Sequence, residues 1–288
     1  MKRFVLCVAS KGGVGKSCCA QVFIGLARQA GRRVSAWDLD RGTGSLAWFY
    51  RDRDPEAGVG VEDIRDEDTA GLWLDAVYGD ADDVLLDVPG GALDNLVRSL
   101  EGGAPSLVAA VKGAGREVIV ASLIGVKPDQ SGAPQEAIQL FGSSGVRHVV
   151  VKNGLFGDED AFIVYDGLRD EKGELLDLYA GITDDEGKPL EYGNTARVVA
   201  AAGGEVVYLP KFSDTKTDVI LAIRRLSYTQ GAESLDLLGR RRMFNIRYWL
   251  TAVETALAGT WLCPKGDVPL EVPSPKAGRR AAVAAVTT

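Results

Sequence analysis

Lys11-Gly12-Gly13-Val14-Gly15-Lys16-Ser17, set between a short apolar run and an amphipathic stretch, leaves this chain few folds to choose from. Phe4 to Ala9 reads as a buried strand and Ser17 to Gln29 as a helix, with Val22, Phe23, Leu26 and Ala30 recurring at helical spacing. A glycine-rich turn in that setting can aim its backbone N–H groups and the positive end of the helix at an anion. Glycine permits the tight backbone and the close approach, Lys16 is placed to reach the terminal phosphates of a nucleotide, and the Ser17 hydroxyl to ligate a magnesium ion. The competing reading is a flexible glycine turn with two solvated lysines, and the strand-to-helix setting argues against it.

The rest of the chain alternates in the same way. Arg33 to Trp37 is a strand ending at Asp38, and Asp82 to Leu86 one ending at Asp87. Glu117 to Leu123, His148 to Lys152 and Glu205 to Leu209 are further β-rich runs, with a helix over Pro134 to Phe141. Strands alternating with helices predict an α/β fold, a mostly parallel, doubly wound sheet covered on both faces. Between Asn153 and Asn194 the pattern breaks into an acidic, glycine-punctuated segment, read as an insertion over about 154–193. A helical part follows Pro210 and runs to about Leu257, and Pro264, Pro269, Pro273 and Pro275 then forbid a continued helix. The expected organisation is one domain over 1–262 and a disordered tail over 263–288.

Composition narrows the class. A formal net charge of -7 argues against a wholly basic nucleic-acid binder, though charge can still gather locally. That happens at Arg224, Arg225, Arg240, Arg241, Arg242 and Arg247, the last four beside Met243, Phe244, Ile246, Tyr248 and Trp249. The cluster reads either as a DNA, membrane or partner surface, or as a helix packing its aromatics on the core and solvating its arginines. The four cysteines lack metal-ligand spacing, three of them lie in or beside the glycine loop, and a reduced, cytoplasmic compartment is expected. No run approaches the roughly 20 apolar residues that span a bilayer. The single histidine, His148, enters a predicted buried strand and is read as structural.

Ser10 stands where the general phosphate-loop pattern has its first glycine, and Lys11 follows it. With that lysine the string resembles the deviant Walker A motif of the ParA/MinD superfamily of dimerising ATPases. The resemblance covers roughly residues 1–153 and 194–226. It implies ATP and Mg²⁺ as ligands, an ATP-dependent homodimer, and hydrolysis to ADP and phosphate. Lys11 is then the signature lysine, acting on the partner subunit's phosphates much as an arginine finger does. Gly12, Gly13, Val14, Gly15, Lys16, Ser17 and Cys18 form the cradle. Asp38-Leu39-Asp40 matches the first switch, with Asp38 near Mg²⁺ and Asp40 positioning the attacking water. The family's usual Asp-Pro-Gln is here Asp40-Arg41-Gly42. Asp87 ends a Walker B strand and would hold a magnesium water, and Pro89-Gly90-Gly91 resembles the second switch. Asn153 sits where relatives place an adenine-reading asparagine, and Pro210 where their backbone meets the base.

The cargo implied is plasmid DNA or a conjugation complex. Asn194-Thr195-Ala196-Arg197 and Gly203-Gly204-Glu205 look most like the plasmid transfer and stability branch. A membrane role is disfavoured, since Ala277 to Thr288 lacks the large apolar residues of an amphipathic anchor. The alternatives are an ATP-dependent ligase or kinase of the dethiobiotin-synthetase type and a non-hydrolysing, nucleotide-gated adaptor. An iron–sulfur reductase of the nitrogenase iron-protein type would need cluster cysteines that Asp87 to Gly115 and Leu123 to Gly132 do not contain.

Overall fold

The computed structural model describes residues 1–65, 71–168, 170–172, 174, 176 and 194–263. From Arg3 to Val8 every residue of β1 (Lys2–Val8) is buried, as a strand covered on both faces requires. Its alternate side chains feed two cores. Val5 and Cys7 join one, Phe4, Leu6 and Val8 the other.

Six further strands pair with it in parallel: β2 (Val34–Asp38), β3 (Gly60–Val61), β4 (Asp83–Asp87), β5 (Arg116–Ile124), β6 (Val146–Asn153) and β7 (Glu205–Leu209). Their order across the sheet is β3-β2-β4-β1-β5-β6-β7. The fold is therefore the expected α/β doubly wound sheet, and it is all parallel. The predicted strands lie in it, β1, β5 and β6 beginning one or two residues earlier than expected, and the two-residue β3 was too short to leave a period in the sequence.

Right-handed crossovers put the helices on opposite faces according to the direction in which the chain travels. From β1 it moves toward β2 through α1 (Lys16–Gln29), and from β4 it returns across β1 to β5. One face carries α1, α8 (Thr215–Arg224), α9 (Tyr228–Glu233) and α10 (Leu235–Leu257), and the core beneath them includes Ile24, Leu221, Tyr228, Ile246 and Trp249. The other carries α2 (Leu72–Tyr78), α3 (Leu93–Arg98), α4 (Gly103–Gly113) and α5 (Ala133–Phe141) over a core that includes Trp73, Leu96, Leu107 and Phe141. The helical part after Pro210 is as expected, except that Gly239 (φ 73°, ψ 163°) breaks α10 near its start.

The acidic segment begins as part of the fold. Phe162, and Tyr165 of α6 (Ile163–Asp166), are buried against Val150 and Val199, the latter on α7 (Asn194–Ala201), and Lys152 meets Asp166 at 2.7 Å. Most of the predicted insertion beyond Leu168, and the tail from Pro264, lie outside the described residues. His148 is buried with Nε2 2.7 Å from the Gly142 carbonyl, a structural role. No disulfide joins any of the four cysteines.

Candidate nucleotide site

In an open parallel sheet a ligand binds at the carboxyl edge where successive crossovers diverge. Here that point is the end of β1, and the glycine loop fills it. Gly13 and Gly15 have φ of 82° and 84°, the left-handed region that a side chain resists. Gly15 is required for a second reason: a Cβ there would stand 2.1 Å from Nδ2 of Asn153. That Nδ2 donates to the Val14 carbonyl at 2.8 Å, and Asn153 Oδ1 accepts from the Leu155 amide at 3.0 Å. The end of β6 therefore ties the loop down, leaving one Asn153 N–H for any other partner.

Lys16 and Ser17 both converge on Asp87. Lys16 Nζ lies 2.5 Å from Oδ1, and Ser17 Oγ donates to Oδ2 at 2.7 Å. Burial alone would lower the Lys16 pKa, but the charge and hydrogen bond of Asp87 outweigh it and keep the ammonium protonated. Ser17 Oγ also lies 2.7 Å from Ser45 Oγ, a neighbour that no motif announced.

Asp38 is 1% exposed. Burial, and then the nearby charge of Asp87, push its carboxyl up to about 6. One of its oxygens accepts from the amides of Leu46 and Ala47, the other from Asp40, so Asp38 folds the loop after β2 around itself. Asp40 is only partly buried at the mouth of that loop, and its Oδ1 accepts from the Thr43 amide at 3.2 Å.

The donor set suits a hard cation. Asp87 and Ser17 present oxygens on one side of the loop, and Asp38 adds a second buried carboxylate whose ionisation a divalent charge would favour. Among the described residues no group of three or more His, Cys, Asp or Glu side chains stands together, so a magnesium ion here would take the rest of its shell from phosphate and water.

The other predicted residues surround this centre. Val14 is fully buried, and Gly12 and Gly13 lie open, with nothing within 4 Å of where a Cβ would stand. A Cβ on Gly90 would lie 2.5 Å from the Gly12 nitrogen, so the segment after β4 leans directly on the loop. Cys18 is an unreactive member of the first helical turn. Burial raises its thiol to about 11, and Sγ lies 3.5 Å from the Tyr228 hydroxyl. The Pro210 carbonyl accepts from Trp249 Nε1 at 2.7 Å. Lys11 alone points away from the cradle: its side chain is 59% exposed, and Nζ lies 2.6 Å from Oδ2 of Asp129.

Beyond Pro210 an open cleft of about 920 Å³ runs between the start of α8 and the kinked α10. Lys211, Lys216, Arg240, Arg241 and Arg242 line it beside Trp249. Ile246 and Trp249 are buried as the packing reading expected, whereas Phe244 and Tyr248 are exposed and stacked, their centroids 6.4 Å apart.

No family model and no curated protein matches the chain. Solved structures do. The septum site-determining protein MinD with Mg-ADP from Pyrococcus horikoshii is similar over 88% of this chain and 96% of its own, at 13% identity and a TM-score of 0.46. The cell division protein MinD of Aquifex aeolicus is similar over 86% and 96%, at 14% identity and 0.43. A nucleotide-binding protein with ADP from Archaeoglobus fulgidus is similar over 77% and 86%, at 17% identity and 0.40. In fold the chain is similar to MinD-type ATPases. The chemistry rests on its own residues.

Proposed function

We propose that this chain is an ATPase of the ParA/MinD type, hydrolysing ATP within a dimer that closes over two nucleotides. The observation that carries the reading is the division of labour between two lysines of one loop. Lys16 is buried against Asp87 beside Ser17, whereas Lys11 is exposed and paired with Asp129, available to a phosphate outside its own cradle.

In this reading the amides of Gly12 to Cys18 cradle the phosphates and Lys16 neutralises the terminal ones, leaving Asp87 to the cation. Ser17 and Asp87 would hold magnesium, which supplies neutralising charge to the phosphates when bound, and Asp38 orders the switch loop behind them. Asp40 orients the attacking water. The water oxygen bonds to the γ-phosphorus, the bond to the β,γ-bridging oxygen breaks, and ADP and phosphate leave. Asn153, with its one remaining N–H, and the backbone at Pro210 flank the adenine.

The cargo is proposed to be DNA, carried for a plasmid or conjugation system. The basic cleft beside Pro210 supports this, because five cations along one groove offer a phosphate backbone the contacts that a protein of net charge -7 otherwise lacks. No helix among the described residues is long and apolar enough to cross a membrane.

Phosphate release per subunit, measured as a function of protein concentration, tests the proposal. Turnover that climbs with concentration supports it. Turnover that is flat across the micromolar range favours an enzyme complete in one subunit, and its absence with ATP bound favours a nucleotide-gated adaptor. DNA that competes with heparin for the wild type but not for Arg240→Ala/Arg241→Ala supports the cargo.

A further inference from the structure

Ser10 and Lys11 are clasped by one residue. Lys11 Nζ meets the Asp129 carboxylate at 2.6 Å, and Ser10 Oγ donates to the Asp129 carbonyl at 3.1 Å. Asp129 stands in the 3₁₀ turn Pro128–Gln130 that follows β5, on the same carboxyl edge of the sheet as the phosphate loop. The hydrogen bond from Lys11 holds its carboxyl below the ordinary range, with the charges of Lys11 and Lys127 adding to the effect, so it is ionised at neutral pH.

The main chain at Lys11 is fixed while its side chain is not. Gly90 backs the Lys11–Gly12 peptide so closely that a Cβ would lie 2.6 Å from the Lys11 carbonyl carbon, yet the Lys11 and Asp129 side chains are 59% and 50% exposed. Lys11 can therefore change partners by side-chain rotation, without moving the loop that holds the phosphates. An exposed ion pair in water is weak, because solvent screens it and ordering two side chains opposes it. A triphosphate approaching from a second subunit carries more charge than one carboxylate.

We propose that Asp129 is a positioning residue for Lys11, a latch that occupies the ammonium in the single subunit and must be exchanged for the partner's phosphate when two subunits close over ATP. The inference rests on the in-trans reading of Lys11. It makes ATP-driven dimerisation the difference between two ion pairs rather than the gain of one, so the latch sets the protein concentration at which the dimer forms.

Sedimentation velocity with ATP and Mg²⁺ over a protein concentration series tests it on the full chain. Asp129→Asn should lower the midpoint of dimerisation by about two- to fivefold for each pair exchanged, the range an exposed ion pair allows. Asp129→Glu should return it toward wild type. Asp75→Asn on α2, which removes an exposed carboxylate without touching Lys11, should leave the midpoint unchanged, as should titration of ATP binding to the dilute Asp129→Asn subunit. A midpoint in Asp129→Asn equal to or above wild type, or an equal shift in Asp75→Asn, overturns the latch while leaving the ATPase reading intact. A wild type that never dimerises with ATP overturns both.

Discussion

Gly15 and Asn153 meet at a distance that admits no side chain on the glycine, 2.1 Å from a would-be Cβ to Nδ2, and the same amide nitrogen donates to the Val14 carbonyl at 2.8 Å. The asparagine at the end of β6 thus shapes the phosphate cradle directly. Truncating it leaves a buried carbonyl unsatisfied, a penalty of about 1–3 kcal/mol. Asn153→Ala is expected to weaken inorganic tripolyphosphate by about tenfold, and ATP by at least as much. Calorimetric titration with both ligands checks this, and an unchanged tripolyphosphate affinity would mean that the bond to Val14 does not shape the cradle.

Lys16 is buried against Asp87, and its removal leaves the phosphates facing that carboxylate. Lys16→Ala should therefore lose at least about a hundredfold in ATP affinity, the combined effect of two or more charge-assisted hydrogen bonds. Equilibrium binding of a fluorescent ATP analogue measures it, with circular dichroism to establish folding. An unchanged affinity in a folded variant contradicts the site.

Asp40 caps its own loop through the Thr43 amide, so its charge and its structural hydrogen bond must be separated. Asp40→Asn keeps an acceptor oxygen and removes the charge. It should retain ATP and Mg²⁺ while phosphate release falls about a hundredfold, as expected when a group that orients water is lost. Asp40→Ala should do the same and also loosen the loop. Wild-type turnover in Asp40→Asn would hand the water to another residue.

Asp83 accepts from Arg3 Nη2 at 2.6 Å and from Arg32 Nε at 2.7 Å where β1 and β4 begin. Burial alone would raise its carboxyl, but the hydrogen bonds from Arg32 and Arg3 outweigh it and hold it below the ordinary range. A depressed carboxylate contributes stability above its unfolded pKa of about 4 and loses it as pH falls through the folded value. Urea unfolding should find Asp83→Asn about 3 kcal/mol less stable than wild type at pH 7, with the gap closing as the pH falls below the unfolded pKa and through the depressed folded one. A gap that is constant with pH would mean that the arginines do not depend on the charge.

Much of this was legible in the sequence because local rules and burial agree there. Buried parallel strands are apolar runs, and Asp38 and Asp87 end theirs, so the sheet and the carboxylates at its edge could be placed from pattern alone. The phosphate loop was legible because its lysines, glycines and serine form one contiguous string between a strand and a helix, with glycine where φ is 82° and 84°. The helices over residues 72–113 were not anticipated, since α2 and α3 are only 7 and 6 residues long, too short to repeat a helical period, and α4 is rich in alanine and glycine. Asp129 and Ser45 were invisible for a different reason: each meets the phosphate loop only through the fold, 118 and 28 residues away along the chain. The bond from Asn153 to Val14 was hidden in the same way, because a polar residue after a strand has no address until the sheet is assembled.

Lys11 separates this account from that of an ordinary phosphate-loop enzyme, and light scattering on the full chain with ATP and Mg²⁺ tests it most directly. The wild type should double its mass with ATP and return to the single subunit as ATP is consumed. Lys11→Ala should bind nucleotide yet stay at the single-subunit mass and lose most of its turnover. A wild type that remains a single subunit at micromolar concentration with ATP bound, or a Lys11→Ala variant that doubles its mass and turns over normally, would contradict it.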